Sequence, residues 1–354
     1  MLNTLETEWK DAVDAIERCY ALGWTDGLPV VPPTVERVEE FLAYAARPAD
    51  EVIGLLAERR REVTVGKVAA NAIMAGCKPE YFPVVLAVCE AILDPAFNLI
   101  GPSSSLGGAG ILVIVNGPIV KELDINSRNN LFGPGNRANA TIGRAVRLIL
   151  MNTCAAVPGL FDRTVLGHPG KYSYCIGENE AQTHWTPLHV ERGFKRDESA
   201  VTVFAAEGPR QVRATPDPET MLYAAADTIS TLGSSMSTSG SVGDTSSSLI
   251  RQGQVAVIFA GDSQVWKGWS KDDVCRSLHP RLRRSAADIK RAGGLPGPVQ
   301  AGDESKYLPL VASPEDILVV YAGGEEVSHM AVIPSWGPKV SSVAVTKVIK
   351  RSAR

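Results

Sequence analysis

The stretch from residue 167 to residue 193 holds the densest group of side chains that can carry out chemistry. It reads GHPGKYSYCIGENEAQTHWTPLHVERG and contains three of the five histidines of the chain. Catalytic residues are common on long loops that a rigid scaffold carries. The candidate catalytic residues in this stretch are His189, Glu178, Glu180 and Cys175.

Two kinds of chemistry fit these side chains. In one, Cys175 is a thiolate nucleophile and His189 or His184 is its base. In the other, Glu178 and Glu180 act with His189 as general acids and bases, without a covalent step. A structural role competes with each hypothesis, because free cysteines are often buried, glutamates are often only solvated, and a histidine often bonds to a neighbouring carboxylate.

A metal site is the third hypothesis for the same stretch. Cys175, His184, His189 and a glutamate are the ligands that such a site would use. The two histidines are five residues apart, and the Thr-Pro step between them interrupts any helix that could align them. No cofactor is therefore predicted, and a divalent metal stays as an alternative.

A glycine bend followed by a helix indicates an anion-binding segment. The sequence FGPGNRANATIGRAVRLILMN places two glycines before a helix of apolar period 3.6. The free backbone N–H groups of such a helix start attract anions, as do arginines. The alternative is that the glycines only form a turn and the arginines only face water. The candidates for binding an anionic substrate are Arg137, Asn139, Thr141, Arg144 and, from the first stretch, Arg192.

The elements that must position these residues follow a repeated pattern. An apolar run that leads directly into glycine occurs four times, as ILVIVNG, VTVFAAEG, VAVIFAG and ILVVYAG. In two cases an apolar helix precedes the strand and a loop and helix follow it, which indicates an internal duplication. The predicted fold is α/β, with two related αβα lobes, mixed sheets and helices packed on them. The lobes are predicted at residues 1–195 and 196–354, with ligand sites at the carboxyl ends of the strands.

Further local signals complete the secondary-structure prediction. Buried helices are predicted at 65–75 and 81–93, and a C-terminal strand at 340–349. Asp217, Ser270 and Ser285 are predicted helix N-caps. The Ser- and Thr-rich stretch 234–248 is predicted to be a mobile loop. Lys267 and Lys271 are expected to be solvated.

Composition limits the classes of function. The chain has 354 residues, a formal net charge of −3 and 21% charged residues, which argues against a nucleic-acid-binding protein. An acidic amphipathic helix is predicted at 5–22, where a signal peptide would lie, and no apolar run is long enough for a membrane span. Six cysteines without a C-x-x-C pair indicate neither a disulfide framework nor a zinc cage. We expect a cytoplasmic homo-oligomer.

Several long motifs resemble one family. GWTDGLPVVPPT, NAIMAGCKPEYFPVVLA, GPGNRANATIGRA, GKYSYC, IGENE, PLHVERGF and the late ILVVYAGG and IPSWG are together similar to a poorly characterised bacterial family associated with UGSC-type (seleno)proteins. Those proteins carry selenocysteine or cysteine before Gly-Ser-Cys. This sequence has no UGSC or CGSC, so the resemblance implies that any redox centre belongs to a partner. The shared motifs imply one joint site formed by Arg137, Asn139, Thr141, Arg144, Cys175, Glu178, Glu180, His189, Glu191 and Arg192.

Two functional hypotheses result. The first is an enzyme that acts on a small anionic metabolite, bearing a carboxylate or a phosphate, by acid–base or thiol chemistry. A lyase or hydrolase is favoured because GPGNRAN lacks the spacing of the dinucleotide and P-loop fingerprints. The second, implied by the resemblance, is a non-catalytic or half-site subunit that docks a UGSC-type thiol or selenol redox protein. Both require the glycine bend and the 167–193 stretch to meet in one cavity.

Overall fold

Two apolar runs of the chain form neighbouring strands. Residues 110–116 and 200–206 are rich in β-branched side chains, and every residue in both runs is buried. They pair antiparallel along their whole length, from Gly110 opposite Ala206 to Asn116 opposite Ala200. Strands that are buried on both faces need cover on both sides, and the remaining elements supply it.

The computed structural model describes residues 9–213, 215–232 and 252–351. The helices in these ranges are α1 (Ala12–Ala21), α2 (Val35–Ala45), α3 (Val65–Ala75), α4 (Phe82–Ile92), α5 (Ile100–Ser104), α6 (Ile119–Glu122), α7 (Arg137–Asn152), α8 (Leu188–Glu191), α9 (Pro218–Ile229), α10 (Lys271–Leu278) and α11 (Ala286–Arg291). The strands are β1 (Val52–Leu56), β2 (Arg61–Thr64), β3 (Gly110–Asn116), β4 (Cys175–Gly177), β5 (Ala200–Ala206), β6 (Arg210–Arg213), β7 (Gly253–Ala260), β8 (Arg283–Ser285), β9 (Tyr307–Pro309), β10 (Ile317–Tyr321), β11 (His329–Pro338) and β12 (Val345–Val348). The predicted loop 234–248 lies outside the described residues.

The main strands form two four-stranded sets with the same order. In the first set, β3 pairs parallel with β4 and antiparallel with β5, and β12 pairs antiparallel with β5. In the second, β7 pairs parallel with β10 and antiparallel with β11, and β6 pairs antiparallel with β11. Strand β6 follows the first set in the chain but joins the second set, and β12 follows the strands of the second set but joins the first. A single pairing of β11 with β5 connects the two sets.

The two sets pack face to face, with helices outside. On β3, Val113 belongs to an apolar cluster with α3, α4 and α7, whereas Leu112 packs in a cluster with Ile258 of β7. On β7, the neighbouring Val257 packs with α9 and α10. Because successive strand residues point to opposite faces, each set has one face toward helices and one toward the other set. The layers are therefore helices, strands, strands and helices.

The observed fold agrees with the coarse prediction and refines it. The chain is an α/β protein with mixed sheets and packed helices, as predicted. In the described ranges, helices α3, α4 and α7 cover the outer face of the first strand set and α9 and α10 that of the second, whereas Leu188 of the short helix α8 packs between the two sets. The division expected between residues 195 and 196 separates β3 from β5, which are hydrogen-bonded neighbours.

Local signals placed most element boundaries. The helix predicted at 65–75 is α3, the helix predicted at 81–93 is α4, and the predicted strand at 340–349 contains β12. Asp217, Ser270 and Ser285 cap α9, α10 and α11, and Ser270 forms a capping box with Asp273. Within the described residues, no helix is long and apolar enough to cross a lipid bilayer.

Candidate functional site

The carboxyl ends of strands from both sets meet at one place. Asn116 is the last residue of β3, and Glu178 and Asn179 directly follow the parallel strand β4. The backbone N–H of Asn179 donates a 2.8 Å hydrogen bond to the carbonyl of Tyr321, the last residue of β10. Ligand sites of α/β proteins commonly lie at the carboxyl ends of parallel strands.

Glu178 is the most fully bonded residue at this junction. Its side chain is 1% exposed. One carboxylate oxygen accepts hydrogen bonds from Asn116 Nδ2 at 2.5 Å and from the backbone N–H of Leu188 at 2.8 Å. The other oxygen accepts a 2.8 Å hydrogen bond from Lys271 Nζ. Three donors, one of them from a lysine, therefore hold the Glu178 side chain in this buried position.

Glu180 lies on the other side of Asn116 and faces His189. Its Oε1 atom accepts hydrogen bonds from Asn116 Nδ2 at 3.0 Å and from the backbone N–H of Gly117 at 2.7 Å. The same oxygen is 3.8 Å from His189 Nδ1, which is too long for a hydrogen bond. The Glu180 side chain is 21% exposed, whereas that of His189 is fully buried. We call Asn116, Glu178, Asn179, Glu180 and His189 the carboxylate cluster.

The carboxylate cluster contains most of the unpartnered buried polar atoms of the described residues. Six buried side-chain nitrogen or oxygen atoms in this part of the chain lack a hydrogen-bond partner. Four of them are Asn116 Oδ1, Asn179 Nδ2 and both ring nitrogens of His189. Because an unpartnered buried polar atom costs about 1–3 kcal/mol, folding stability alone does not favour such a concentration. It is typical of a site that keeps polar groups for a function.

Lys271 corrects an expectation from the sequence, since it is not solvated. Its side chain is 3% exposed and forms ion pairs with Glu178 at 2.8 Å and with Glu191 Oε2 at 3.3 Å. The lysine is the first residue of α10, where the positive end of the helix dipole disfavours a cation. That position was the available signal that a carboxylate had to compensate its charge. Lys267 is exposed, as expected.

A cleft of about 810 Å³ lies beside the carboxylate cluster. Its charged lining residues are Glu191, Arg192, Lys271, Asp272 and Glu315, and its other walls come from α8, α10, β10 and Thr346. Glu178, Glu180 and His189 do not line it. Lys271 therefore belongs to the wall between the cleft and the carboxylate cluster and contacts both sides.

Arg192 and Glu191 line the cleft with one fixed guanidinium and one carboxyl group. Burial disfavours the ionised form of that carboxyl group. Arg192 Nε donates to Thr346 Oγ1 at 2.5 Å and Nη2 donates to the carbonyl of Ala344 at 2.6 Å, while Nη1 has no partner among the described residues. Burial lowers the pKa of the Arg192 guanidinium. Burial raises the pKa of the Glu191 carboxyl group, and the nearby Lys271 charge opposes that shift only in part.

The residues of the glycine bend do not reach the cleft. Arg137 is exposed and donates to the carbonyl of Gly76 through Nε at 3.1 Å and Nη2 at 3.0 Å. Arg144 forms a bidentate ion pair with Asp26, at 2.9 and 2.7 Å. Thr141 Oγ1 donates to the carbonyl of Arg137 within the helix. These contacts hold Arg137 against Gly76 and neutralise Arg144 with Asp26, and neither arginine lines the cleft.

Asn139 and Cys175 lie on the helix-facing side of the sheet. Asn139 Nδ2 donates to the carbonyls of Asn126 at 2.9 Å and Cys175 at 3.0 Å, so the asparagine anchors a loop and a strand. The Cys175 side chain packs in the same apolar cluster as Val113. Burial, with a smaller effect of the Cys77 thiol, raises the pKa of Cys175 far above its usual value. The structure gives Cys175 no hydrogen bond to either His184 or His189.

The predicted joint site is therefore assembled only in part, and the expectation of one cavity shared by the glycine bend and the 167–193 stretch is wrong for the cleft, which, of these two segments, only the stretch lines. Glu178, Glu180 and His189 come together, and Glu191 and Arg192 line the adjacent cleft. The structure places the following predicted residues elsewhere: Arg137, Asn139, Thr141, Arg144 and Cys175. The physical reason is that β4 carries Cys175 toward α7, whereas the residues after its end turn toward the second strand set.

No group of three or more His, Cys, Asp or Glu side chains in the described ranges is arranged to hold a metal ion. Comparisons of the chain with protein-family models, with curated proteins and with solved structures found no match.

Proposed function

We propose that the protein is an enzyme that transfers protons on a small metabolite bearing a carboxylate or a phosphate, as a lyase or a hydrolase. The observation that carries this proposal is the position of Lys271, which hydrogen-bonds Glu178 of the carboxylate cluster and also lines the cleft with Arg192. A lysine that lines the cleft and is held by two carboxylates is positioned to transfer a proton to a bound substrate.

Arg192 is the proposed anchor for the anionic group of the substrate. Its Nε and Nη2 atoms are held by Thr346 and Ala344, so the guanidinium is fixed in one orientation. The unpartnered Nη1 edge is then available to an anion without reorganisation of the side chain. A guanidinium suits carboxylates and phosphates because its planar donors match their oxygens.

Lys271 is the proposed proton-transfer group, supported by Glu178 and Glu191. Glu178 fixes Nζ at 2.8 Å, and Glu191 lies 3.3 Å from the same atom on the cleft side. A proton that leaves Lys271 for the substrate is replaced from solvent through the cleft that this lysine lines. Glu180 and His189 are the proposed second acid–base pair. They lie at the end of the carboxylate cluster where the Glu180 side chain is 21% exposed.

Acid–base chemistry is favoured over thiol chemistry at this site. Cys175 is 5% exposed, and burial keeps its thiol protonated at neutral pH by raising its pKa. A thiolate nucleophile needs a lowered pKa and access to the substrate. Cys275 lines the cleft, but burial raises its pKa to about 12.

The repeated strand order supports a further part of the proposal, an origin by internal duplication. The order β4, β3, β5, β12 matches the order β10, β7, β11, β6, with the same parallel and antiparallel pairings. The proposed site lies where the carboxyl ends of the two sets meet, as expected when two copies of one unit pack together.

Proton NMR in D₂O tests the enzyme proposal across many candidate substrates at once. Panels of small carboxylates and phosphate esters are incubated with the protein and followed for deuterium incorporation at carbon and for product signals. We expect turnover of at least one compound, loss of about 100-fold or more in Lys271→Met, and full activity in the solvent-exposed control Lys267→Met. Turnover that is unchanged in Lys271→Met would exclude the proposed role of this lysine.

A further inference from the structure

Two of the charged side chains that line the cleft are neutralised from outside it. Lys271 is paired with Glu178, whose side chain is 1% exposed. Asp272 is paired with Arg276 at 2.6 Å on the outer surface of α10. Neither of these two residues therefore needs a charged ligand.

The remaining charges of the cleft are of both signs. Arg192 has no carboxylate partner among the described residues, and its Nη1 atom has no hydrogen bond there. Glu191 has Lys271 as its ion-pair partner, at 3.3 Å, and that lysine lies closer to Glu178, at 2.8 Å. Glu315 adds a second carboxylate to the lining. The cleft thus offers one guanidinium and at least one incompletely neutralised carboxylate.

We infer that the ligand of the cleft is a zwitterion, with an amino group as well as the anionic group, in the class of amino acids and amino-bearing carboxylates. Its anionic group binds Arg192, and its ammonium group lies against Glu191. This inference rests on the proposed function, because it assigns the substrate class of the same cleft. The raised pKa of Glu191 is consistent with it, since a bound cation would restore the ionised form that burial disfavours.

Other charge patterns fit the lining less well. A second negative group on the ligand would meet the carboxylates of Glu191 and Glu315. A ligand with only a positive charge would leave Arg192 without an anion. Discrimination by such mismatched charges is a general source of binding specificity.

Matched pairs of compounds test the inference directly. The probes are L-alanine and propionate, L-aspartate and succinate, and 4-aminobutyrate and butyrate, with binding measured by ligand-observed NMR on the full chain. We expect the amino member of at least one pair to bind about tenfold or more tightly than its partner. Glu191→Gln is expected to remove that preference, whereas Glu58→Gln, at an exposed glutamate that does not line the cleft, is expected to keep it.

The outcomes separate this inference from the proposed function. Equal or tighter binding of the compounds without an amino group, in all pairs, overturns the zwitterion class but leaves an anion-binding enzyme intact. A preference that survives in folded Glu191→Gln, as judged by circular dichroism, overturns the assignment of Glu191. Amino-compound binding without turnover of any compound supports the ligand class and counts against the enzyme proposal.

Discussion

Lys271 Nζ donates a 2.8 Å hydrogen bond to Glu178 Oε1, although the two residues are 93 positions apart in the chain. Glu178 follows β4 of the first strand set, and Lys271 begins α10, which packs on the second. The ion pair thus joins the two strand sets at the wall of the cleft. Removal of either partner leaves a buried charge without its main counter-charge.

A double-mutant cycle on this pair should show strong coupling. Glu178→Gln and Lys271→Met are each expected to lower the free energy of unfolding by about 3 kcal/mol, because each leaves a buried charge without its main counter-charge. The double variant should be more stable than the sum of the single effects predicts, by more than about 1 kcal/mol. Urea denaturation measures all four proteins. The exposed pair Asp272–Arg276 serves as a control, in which solvent screening should leave little coupling.

His189 should matter more for turnover than for folding. Its ring nitrogens make no hydrogen bond within the described residues, so His189→Gln removes no side-chain partner from the fold. We expect kcat to fall by about 100-fold or more and the free energy of unfolding to change by about 1 kcal/mol or less. The exposed His184 is the control for the same substitution. A large loss of stability with normal kcat would assign His189 to packing alone.

Substitutions of Arg144 and Arg192 should distinguish a structural arginine from one that binds the ligand. Arg144→Lys loses the bidentate pair with Asp26 and should destabilise the fold by about 1–3 kcal/mol with unchanged KM. Arg192→Lys should raise KM by about tenfold or more, because a lysine does not keep the fixed planar donors. Steady-state kinetics and thermal denaturation distinguish the two effects. An increase in KM for Arg144→Lys would indicate that the glycine bend contributes to the substrate site after all.

Stability should depend on pH through His168. Burial lowers the pKa of His168 below its ordinary value of 6.5, with Lys171 adding to the shift and the carbonyl of Ala206 opposing it. In the unfolded chain His168 takes up a proton below pH 6.5, whereas in the folded chain it does so only at a lower pH. Acid therefore favours unfolding. The free energy of unfolding should therefore fall as the pH drops below 6.5 and level off below the folded-state pKa. Above pH 6.5 this contribution is fully present.

Urea denaturation at several pH values measures this effect. His168→Gln should flatten the slope below pH 6.5, whereas the same substitution at the exposed His184 should leave it in place. A wild-type slope that persists unchanged in His168→Gln would assign it to other groups.

Strand β11 illustrates why sequence patterns do not find every central element. Its sequence, HMAVIPSWGP, contains prolines and a glycine, which normally end strands. The structure accommodates them through a register shift between Pro334 and Pro338, where the pairing with β7 is interrupted. The neighbouring strands β6 and β7 supply most of the partners for the backbone groups of β11, and β5 pairs with it at Ser335.

The sequence alone determined the local structure of this protein. Continuous apolar runs specify buried strands such as β3, and the side chains of Asp217 and Ser270 specify where α9 and α10 begin, because both signals act over a few residues. The composition of the 167–193 stretch is also sufficient to single out Glu178, Glu180 and His189 as site candidates.

Tertiary structure alone decided which of the candidate residues meet. Cys175 lies on the face of β4 that packs toward α7, and Arg144 pairs with Asp26, so that this arginine is not part of the predicted anion site. Helix α10, which begins at Lys271, places this lysine against Glu178. Such contacts join segments far apart in the chain and depend on how the two strand sets pack, which no short-range pattern encodes.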